Sequence, residues 1–320
     1  MVRTPLTDLP HHALAACAWF FLMLMGCGEA GSDGTADSGA LQIAHPASLW
    51  SIEQLAAATD PPLLIDVRKP ADYAMGHIPG ARQIWRSDFT VEVDGGPALG
   101  RYGGMACSPK DLAALMDSLG ARPSGQILLC DGVGGCDAAR VWWLLRLYGH
   151  KEVALLDGGL PAWEASGRSR SMDAPPLPSP GGFAYTSTPQ PELLVTLEDV
   201  EAARAAGDVL LDTRSLAEFS GAQHKSGAAR PGHIPGAVHY DWGNAVDMGG
   251  VGCLKPLKDI VHDLGNLGIR PETPVITYCH SGVRSAHTAF VLREVLGYPN
   301  VRNYDGSWTE YSRNQGNQGD

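Results

Sequence analysis

The chain says the same thing twice. In its first half Leu63-Leu64-Ile65-Asp66-Val67-Arg68 is followed by Gly76-His77-Ile78-Pro79-Gly80-Ala81. In its second half Val209-Leu210-Leu211-Asp212-Thr213-Arg214 is followed by Gly232-His233-Ile234-Pro235-Gly236-Ala237. Further on, Ile127-Leu128-Leu129-Cys130-Asp131 parallels Val275-Ile276-Thr277-Tyr278-Cys279, and Leu156-Asp157-Gly158 with Trp163 parallels Tyr304-Asp305-Gly306 with Trp308. A duplication of this extent requires each half to build the same supersecondary units, and so restricts the fold more than any single motif does.

Each half alternates short apolar runs with amphipathic helical patterns, for example Ser51–Ala58, Pro109–Leu119, Ala138–Tyr148 and Leu197–Ala206. That alternation predicts an α/β fold in which βα units form mostly parallel sheets flanked by helices. The run Pro175-Pro176-Leu177-Pro178-Ser179-Pro180-Gly181-Gly182 reads as a linker. With 320 residues available, two similar α/β domains are expected, at 41–174 and 190–320, joined by a 175–189 linker.

Residues before 41 read differently. The apolar run Ala13 to Met25 is too short for a bilayer span but suits a signal-peptide core. It ends in Leu24-Met25-Gly26-Cys27, which resembles a bacterial lipobox, and a Gly-, Ser-, Ala- and acid-rich stretch follows. The expectation is a lipoprotein signal peptide over 1–26, lipid attachment at Cys27 and a flexible tether over 27–40. The protein would then be exported and anchored on the periplasmic side of a bacterial membrane. A net charge of −11 argues against a nucleic-acid partner.

Of the seven cysteines, Cys107, Cys130, Cys136, Cys253 and Cys279 remain once Cys17 and Cys27 are set aside. Their number is odd and no CxxC pair exists, so neither a disulfide framework nor a zinc site is expected, although a Cys107–Cys253 disulfide stays open. No cofactor is called for, and no phosphate-binding glycine loop is present.

The duplication also separates scaffold from chemistry. Features present in both halves are expected to serve the fold, among them His77 and His233 in their turns and Asp66 and Asp212 at strand ends; Trp142, Trp143, Trp163 and Trp308 are expected in the core or at the domain interface. At the strand-to-helix loop the halves diverge. Asp131 stands opposite Cys279, and Cys136 opposite Arg284. Cys279 thus lies at the carboxyl end of a strand and the amino end of a helix expected over Ala286 to Leu296. There the unpaired N–H groups and the positive dipole end favour a thiolate. Cys279 is therefore the candidate nucleophile, with one site per chain.

These residues together resemble the tandem-domain rhodanese sulfurtransferases, which include thiosulfate and 3-mercaptopyruvate sulfurtransferases. The resemblance rests on the paired Asp-x-Arg strand ends, the paired Gly-His-Ile-Pro-Gly-Ala turns, Asp157-Gly158-Gly159-Leu160-Pro161-Ala162-Trp163, Tyr278 to Ser285, and Tyr304 to Tyr311. It implies a catalytically inactive first domain, marked by Asp131, and a catalytic second domain. Cys279 would take the outer sulfur of a donor as a persulfide and pass it to a thiol or cyanide acceptor. The N–H groups of His280, Ser281, Gly282, Val283 and the residues after them would cradle that sulfur. Arg284 would lower the thiol pKa and hold the anionic donor. Arg214 and Arg230 are further candidate donor contacts. The arginine that the family often carries after its Asp-x-Arg is replaced by Glu218, which favours thiosulfate over the carboxylate donor 3-mercaptopyruvate.

Two rival functions fit less well. Cysteine phosphatases carry a longer loop between cysteine and arginine than the four residues separating Cys279 from Arg284. A binding or sulfur-carrying module without turnover would not need the intact cysteine loop.

Overall fold

The computed structural model of the protein describes residues 41–184 and 188–314. The expected signal peptide, Cys27 and the tether lie outside the described residues. Among the described residues no helix is long and apolar enough to cross a membrane.

Two five-stranded sheets carry the fold. The first uses β1 (Leu49–Trp50), β2 (Leu63–Asp66), β3 (Arg82–Gln83), β6 (Ile127–Cys130) and β7 (Val153–Leu156). The second uses β8 (Leu194–Val195), β9 (Val209–Asp212), β10 (Val238–His239), β11 (Val275–Tyr278) and β12 (Val301–Tyr304). Their orders, β1-β7-β6-β2-β3 and β8-β12-β11-β9-β10, are the same order twice, and every pairing in both is parallel. The central strands β6 and β11 are buried along their whole length, as continuous apolar runs in helix-covered parallel sheets should be.

Local signals set the helix boundaries. Ser51 and Thr196 each close a capping box, with Gln54 and Asp199, at the start of Ile52–Ala57 and Leu197–Ala206. Gly207, at φ 80°, terminates the latter helix. The helix expected over Ala286 to Leu296 starts earlier, at Val283. It runs α-helically to Phe290 and then widens into a π-helical turn over Val291–Val295. The last carbonyls of that turn, on Glu294 and Val295, accept N–H bonds from His45 and Ala44, which satisfies groups that a helix end leaves unpaired.

Three further features were not fixed by the sequence. An antiparallel hairpin, β4 (Thr90–Asp94) with β5 (Arg101–Ala106), is inserted in the first half; among the described residues the second half has only an isolated antiparallel bridge, Val246 to Leu254. The proline-rich linker is irregular but docked: Asp117 accepts N–H bonds from Gly182 and Phe183 at 2.7 and 3.2 Å, and the Phe183 side chain joins the core. Cys107 and Cys253 are both free thiols, the first buried in the shared core and the second half-buried against a separate first-half cluster.

The halves share one core. A single buried cluster runs from Ile65 and Leu129 in the first sheet to Phe290 and Val301 in the second half. Its centre is the packing of the Cys136–Leu147 helix on the Val283–Phe290 helix, where Trp142 meets Phe290 edge-on at 5.1 Å. Trp143 crosses the boundary as well, donating from Nε1 to the Leu193 carbonyl at 3.1 Å.

Deleting the Trp142 side chain should therefore destabilise both halves, by roughly 3–5 kcal/mol. In urea denaturation followed by circular dichroism, Trp142→Ala should move one cooperative transition to lower urea. A biphasic curve would mean that the halves unfold independently.

Candidate active site

β11 delivers Cys279 to the carboxyl edge of the second sheet, and the chain turns through His280, Ser281 and Gly282 into the Val283–Phe290 helix. Gly282 caps this helix at φ 74°. A Cβ there would lie 2.6 Å from Arg140 Nη1 and 2.9 Å from Asp305 Oδ1, so both conformation and space require glycine. The Cys279 side chain is buried. Burial pushes its thiol up. The Arg284 charge, the Ser285 hydroxyl, and the N–H groups of Ser285 and Ser281 outweigh that effect and hold the thiol below its ordinary value. Ser285 Oγ lies 3.5 Å from Cys279 Sγ.

The matching loop of the first half shows what these N–H groups do with an anion. The Asp131 carboxylate accepts from the N–H groups of Val133, Gly135, Asp137 and Ala138 at 2.9, 2.9, 2.8 and 3.2 Å. Shifted by the register that aligns Asp131 with Cys279, Val133 and Asp137 correspond to Ser281 and Ser285. Their N–H groups are the ones that lower the Cys279 thiol. The two loops are one cradle around two different side chains, a carboxylate in one and a thiol in the other. The other first-half thiols are set apart: burial raises Cys130 and Cys136 well above the ordinary thiol value, and acidic neighbours push in the same direction.

Of the basic candidates, Arg284 stays at the site. It forms a fork with Glu218, Nη1 to Oε2 at 2.6 Å and Nη2 to Oε1 at 2.9 Å. Burial alone would raise the Glu218 carboxyl. Arg284, together with Lys225 and Ser215, overcomes this and holds it at about 2. Glu218 is itself placed by Ser215, which caps the short Leu216–Phe219 helix.

Arg214 is tied into the scaffold, at variance with the expected donor contact. It is only 2% exposed, pairs with Asp212 at 2.5 Å, bonds the Gly232 carbonyl at 2.8 Å, and lies against the rings of Trp308 and Tyr278. Arg68 makes the same bonds to Asp66 and the Gly76 carbonyl in the first half. Arg230 packs on Trp308 and bonds the Ser312 carbonyl. His280 turns its ring to the Ser226 carbonyl at 3.0 Å. Burial, reinforced by Lys225, lowers it to about 4, so it is neutral near pH 7. His77 and His233 are turn residues, stacked on Tyr73 and Phe219 and bonded to the carbonyls of those same residues.

Ser307 is the residue that motif reading passed over. Its Oγ accepts the N–H groups of both Cys279 and Gly282 at 3.1 Å and donates to the Tyr304 carbonyl at 2.7 Å. It is the one non-glycine residue at positive φ among those described, at 49°, a conformation costing on the order of 1 kcal/mol or more. Its counterpart Gly159 has φ 51°, and a Cβ there would lie 2.2 Å from the Asp131 carbonyl. The signal was the replacement of that glycine by serine in only one half.

The first half also reaches over the loop. In the β4–β5 hairpin, Gly104 approaches Ser281 so closely that a Cβ would fall 2.9 Å from the serine Cβ, and the Ala106 N–H bonds Asp305 Oδ2 at 2.9 Å. Among the described residues there is no cluster of three or more side chains suited to a metal ion.

Fold and site together define a duplicated α/β protein with a single thiol-bearing anion cradle. The chain belongs to the rhodanese-like domain family, whose domain is matched twice, at residues 51–166 and 196–314. It is 36% identical over 250 residues to a thiosulfate sulfurtransferase of Pseudomonas aeruginosa, covering 78% of this chain and 87% of that one. It superimposes on the 3-mercaptopyruvate sulfotransferase SseA of Escherichia coli with a TM-score of 0.68 and 28% identity, over 81% of this chain and 98% of the other. An anaerobic ergothioneine biosynthesis enzyme from Chlorobium limicola shares the fold at 22% identity and a TM-score of 0.69, over 83% of this chain and 68% of that one.

The depressed thiol gives a direct test. The rate of Cys279 alkylation by iodoacetamide should rise with a midpoint below the ordinary cysteine value of about 8.5. Ser285→Ala should move that midpoint upward. An unshifted midpoint in the wild-type protein would contradict the electrostatic account.

Proposed function

We propose that the protein is a sulfurtransferase that carries sulfane sulfur as a persulfide on Cys279, with thiosulfate as donor. The Cys279 thiolate attacks the outer sulfur of thiosulfate. The S–S bond of the donor breaks with its electron pair leaving on sulfite, and a Cys279 persulfide anion remains. An acceptor thiolate or cyanide then attacks the outer sulfur, and the electron pair returns to Cys279 as thiolate. The chemistry needs no redox cofactor, because the sulfur passes between nucleophiles.

The observation that carries this reading is the Asp131 loop. In aspartate the chain Cβ–Cγ–Oδ puts negative charge two bonds beyond Cβ, and in a cysteine persulfide Cβ–Sγ–Sδ does the same. A backbone cradle that binds the Asp131 oxygens through four N–H groups has the reach and polarity to bind the outer sulfur of a persulfide at Cys279. The names of the Pseudomonas aeruginosa and Escherichia coli relatives support the same reaction class. The name of the Pseudomonas aeruginosa relative supports thiosulfate as the donor.

Incubation with thiosulfate should make the intact protein one sulfur atom heavier, and added cyanide should remove the increment as thiocyanate. Cys279→Ser should abolish both steps. Persistence of sulfur transfer in that variant would overturn the assignment, and a higher kcat/KM with 3-mercaptopyruvate would overturn the donor. Removing the carboxylate that neutralises Arg284, as in Glu218→Gln, should raise kcat/KM for thiosulfate several-fold, about 1 kcal/mol of transition-state stabilisation.

We also propose export and lipid anchoring at Cys27, supported by the sequence from Leu24 to Cys27 and the polar stretch after it. Fatty-acid labelling in a bacterial host should be lost in Cys27→Ala, and the protein should then leave the membrane fraction.

A further inference from the structure

Arg140 belongs to the first half, on the Cys136–Leu147 helix, and is completely buried. Its guanidinium reaches across to the cysteine loop of the second half. Nη1 donates to the Gly282 carbonyl at 3.3 Å, and Nη2 donates to the Gly104 carbonyl at 3.1 Å and pairs with Asp305 Oδ1 at 2.6 Å. The same group lies 4.8 Å from the Trp143 ring centroid. Asn303 Nδ2 approaches the Gly282 carbonyl from the second half at 3.5 Å.

That carbonyl is one side of the Gly282–Val283 peptide. A trans peptide is planar, with C=O and N–H pointing in opposite directions. Holding the Gly282 oxygen outward therefore aims the Val283 N–H inward. The first half shows where such an N–H goes: the corresponding unit is Gly134–Gly135, and the Gly135 N–H bonds Asp131 Oδ1 at 2.9 Å. The arrangement is reciprocal, since second-half side chains pack on the first loop: a Cβ on Gly134 would lie 2.7 Å from Val246, and one on Gly135 3.9 Å from His287 Nε2. Each half holds the outer edge of the other half's loop.

We propose that Arg140 is a positioning residue for sulfur transfer, fixing the Gly282–Val283 peptide so that its N–H faces the sulfur on Cys279. Resting on the persulfide reading above, this assigns the first half a direct part in the chemistry without its touching the reacting atoms. Arginine suits the role because its planar fork bonds Gly282, Gly104 and Asp305 together. A lysine in its place keeps the charge beside Asp305 but presents no fork. The other groups acting on the thiol are Arg284, with Glu218 behind it, and, from the first half, Arg86 and Cys136. Arg140→Lys leaves all of these in place.

The test measures the Cys279 alkylation midpoint, thermal stability, and the kcat and KM for thiosulfate in full-length wild type and Arg140→Lys. A lost N–H contact should raise the midpoint by about one unit. It should also lower kcat about tenfold, with KM changed less than about twofold. The double variant Arg140→Met/Asp305→Asn removes the buried pair as a unit, so no lone charge is left inside. It should fold and show the same raised midpoint. A wild-type midpoint in either folded variant would overturn the proposal and reduce Arg140 to a packing residue. Absence of sulfur transfer in the wild-type protein would overturn the persulfide reading instead, and the alkylation midpoints would still decide the role of Arg140.

Discussion

Convergence of backbone N–H groups on one negative atom is the constraint around which both halves are built. A parallel strand that runs into a helix leaves several N–H groups without partners at the junction, and here the junction is buried. In the first half the Asp131 carboxylate satisfies them. In the second, Cys279 sits at the same point, and the N–H groups of Ser281 and Ser285 lower its thiol against the opposing effect of burial. Ser307 steadies the inner face of this loop, the Gly104 and Arg140 contacts steady its outer face, and the Glu218–Arg284 fork lies beside it. Nearly every polar residue that matters to the site acts by holding this short turn in shape or by setting its charge.

The shared core explains how the parts can be so interdependent. Trp142 and Phe290 pack at the seam between two helices that each begin in one of the loops. A shift at that seam moves both helix starts. The halves therefore behave less like two beads on a linker than like the subunits of a symmetric pair, each closing the other's loop from outside. The docked 175–184 segment, with Phe183 in the core, belongs to this same body.

Much of this was legible in the amino-acid order because duplication supplied an internal control. The strands, the parallel layering and the position of Cys279 follow from local patterns that are written twice. Applied consistently, the same control also covers Arg214: Asp-x-Arg occurs in both halves, and both arginines turn back to bond their own aspartate and a turn carbonyl. Ser307 was equally readable, as the serine that replaces Gly159. What the sequence hid is long-range. Nothing near Arg140 in the chain announces that its side chain ends at Gly282, and nothing in the β4–β5 segment marks Gly104 as the point where it meets Ser281. Those contacts depend on how one half is turned onto the other, which no local spacing encodes. The π-helical turn after Phe290 is hidden for a similar reason, since its terminal carbonyls find their partners in Ala44 and His45 at the far end of the described chain.

The carboxylate in the first loop has one more consequence. Reactive sulfur intermediates are short-lived, and their geometry ordinarily has to be trapped. This molecule carries, at Asp131, an analogue of the proposed charged persulfide within the same chain. The difference between the Asp131 loop and the Cys279 loop therefore indicates how far the backbone would move on forming the proposed persulfide. The smaller that difference, the less reorganisation stands between the resting enzyme and its loaded form.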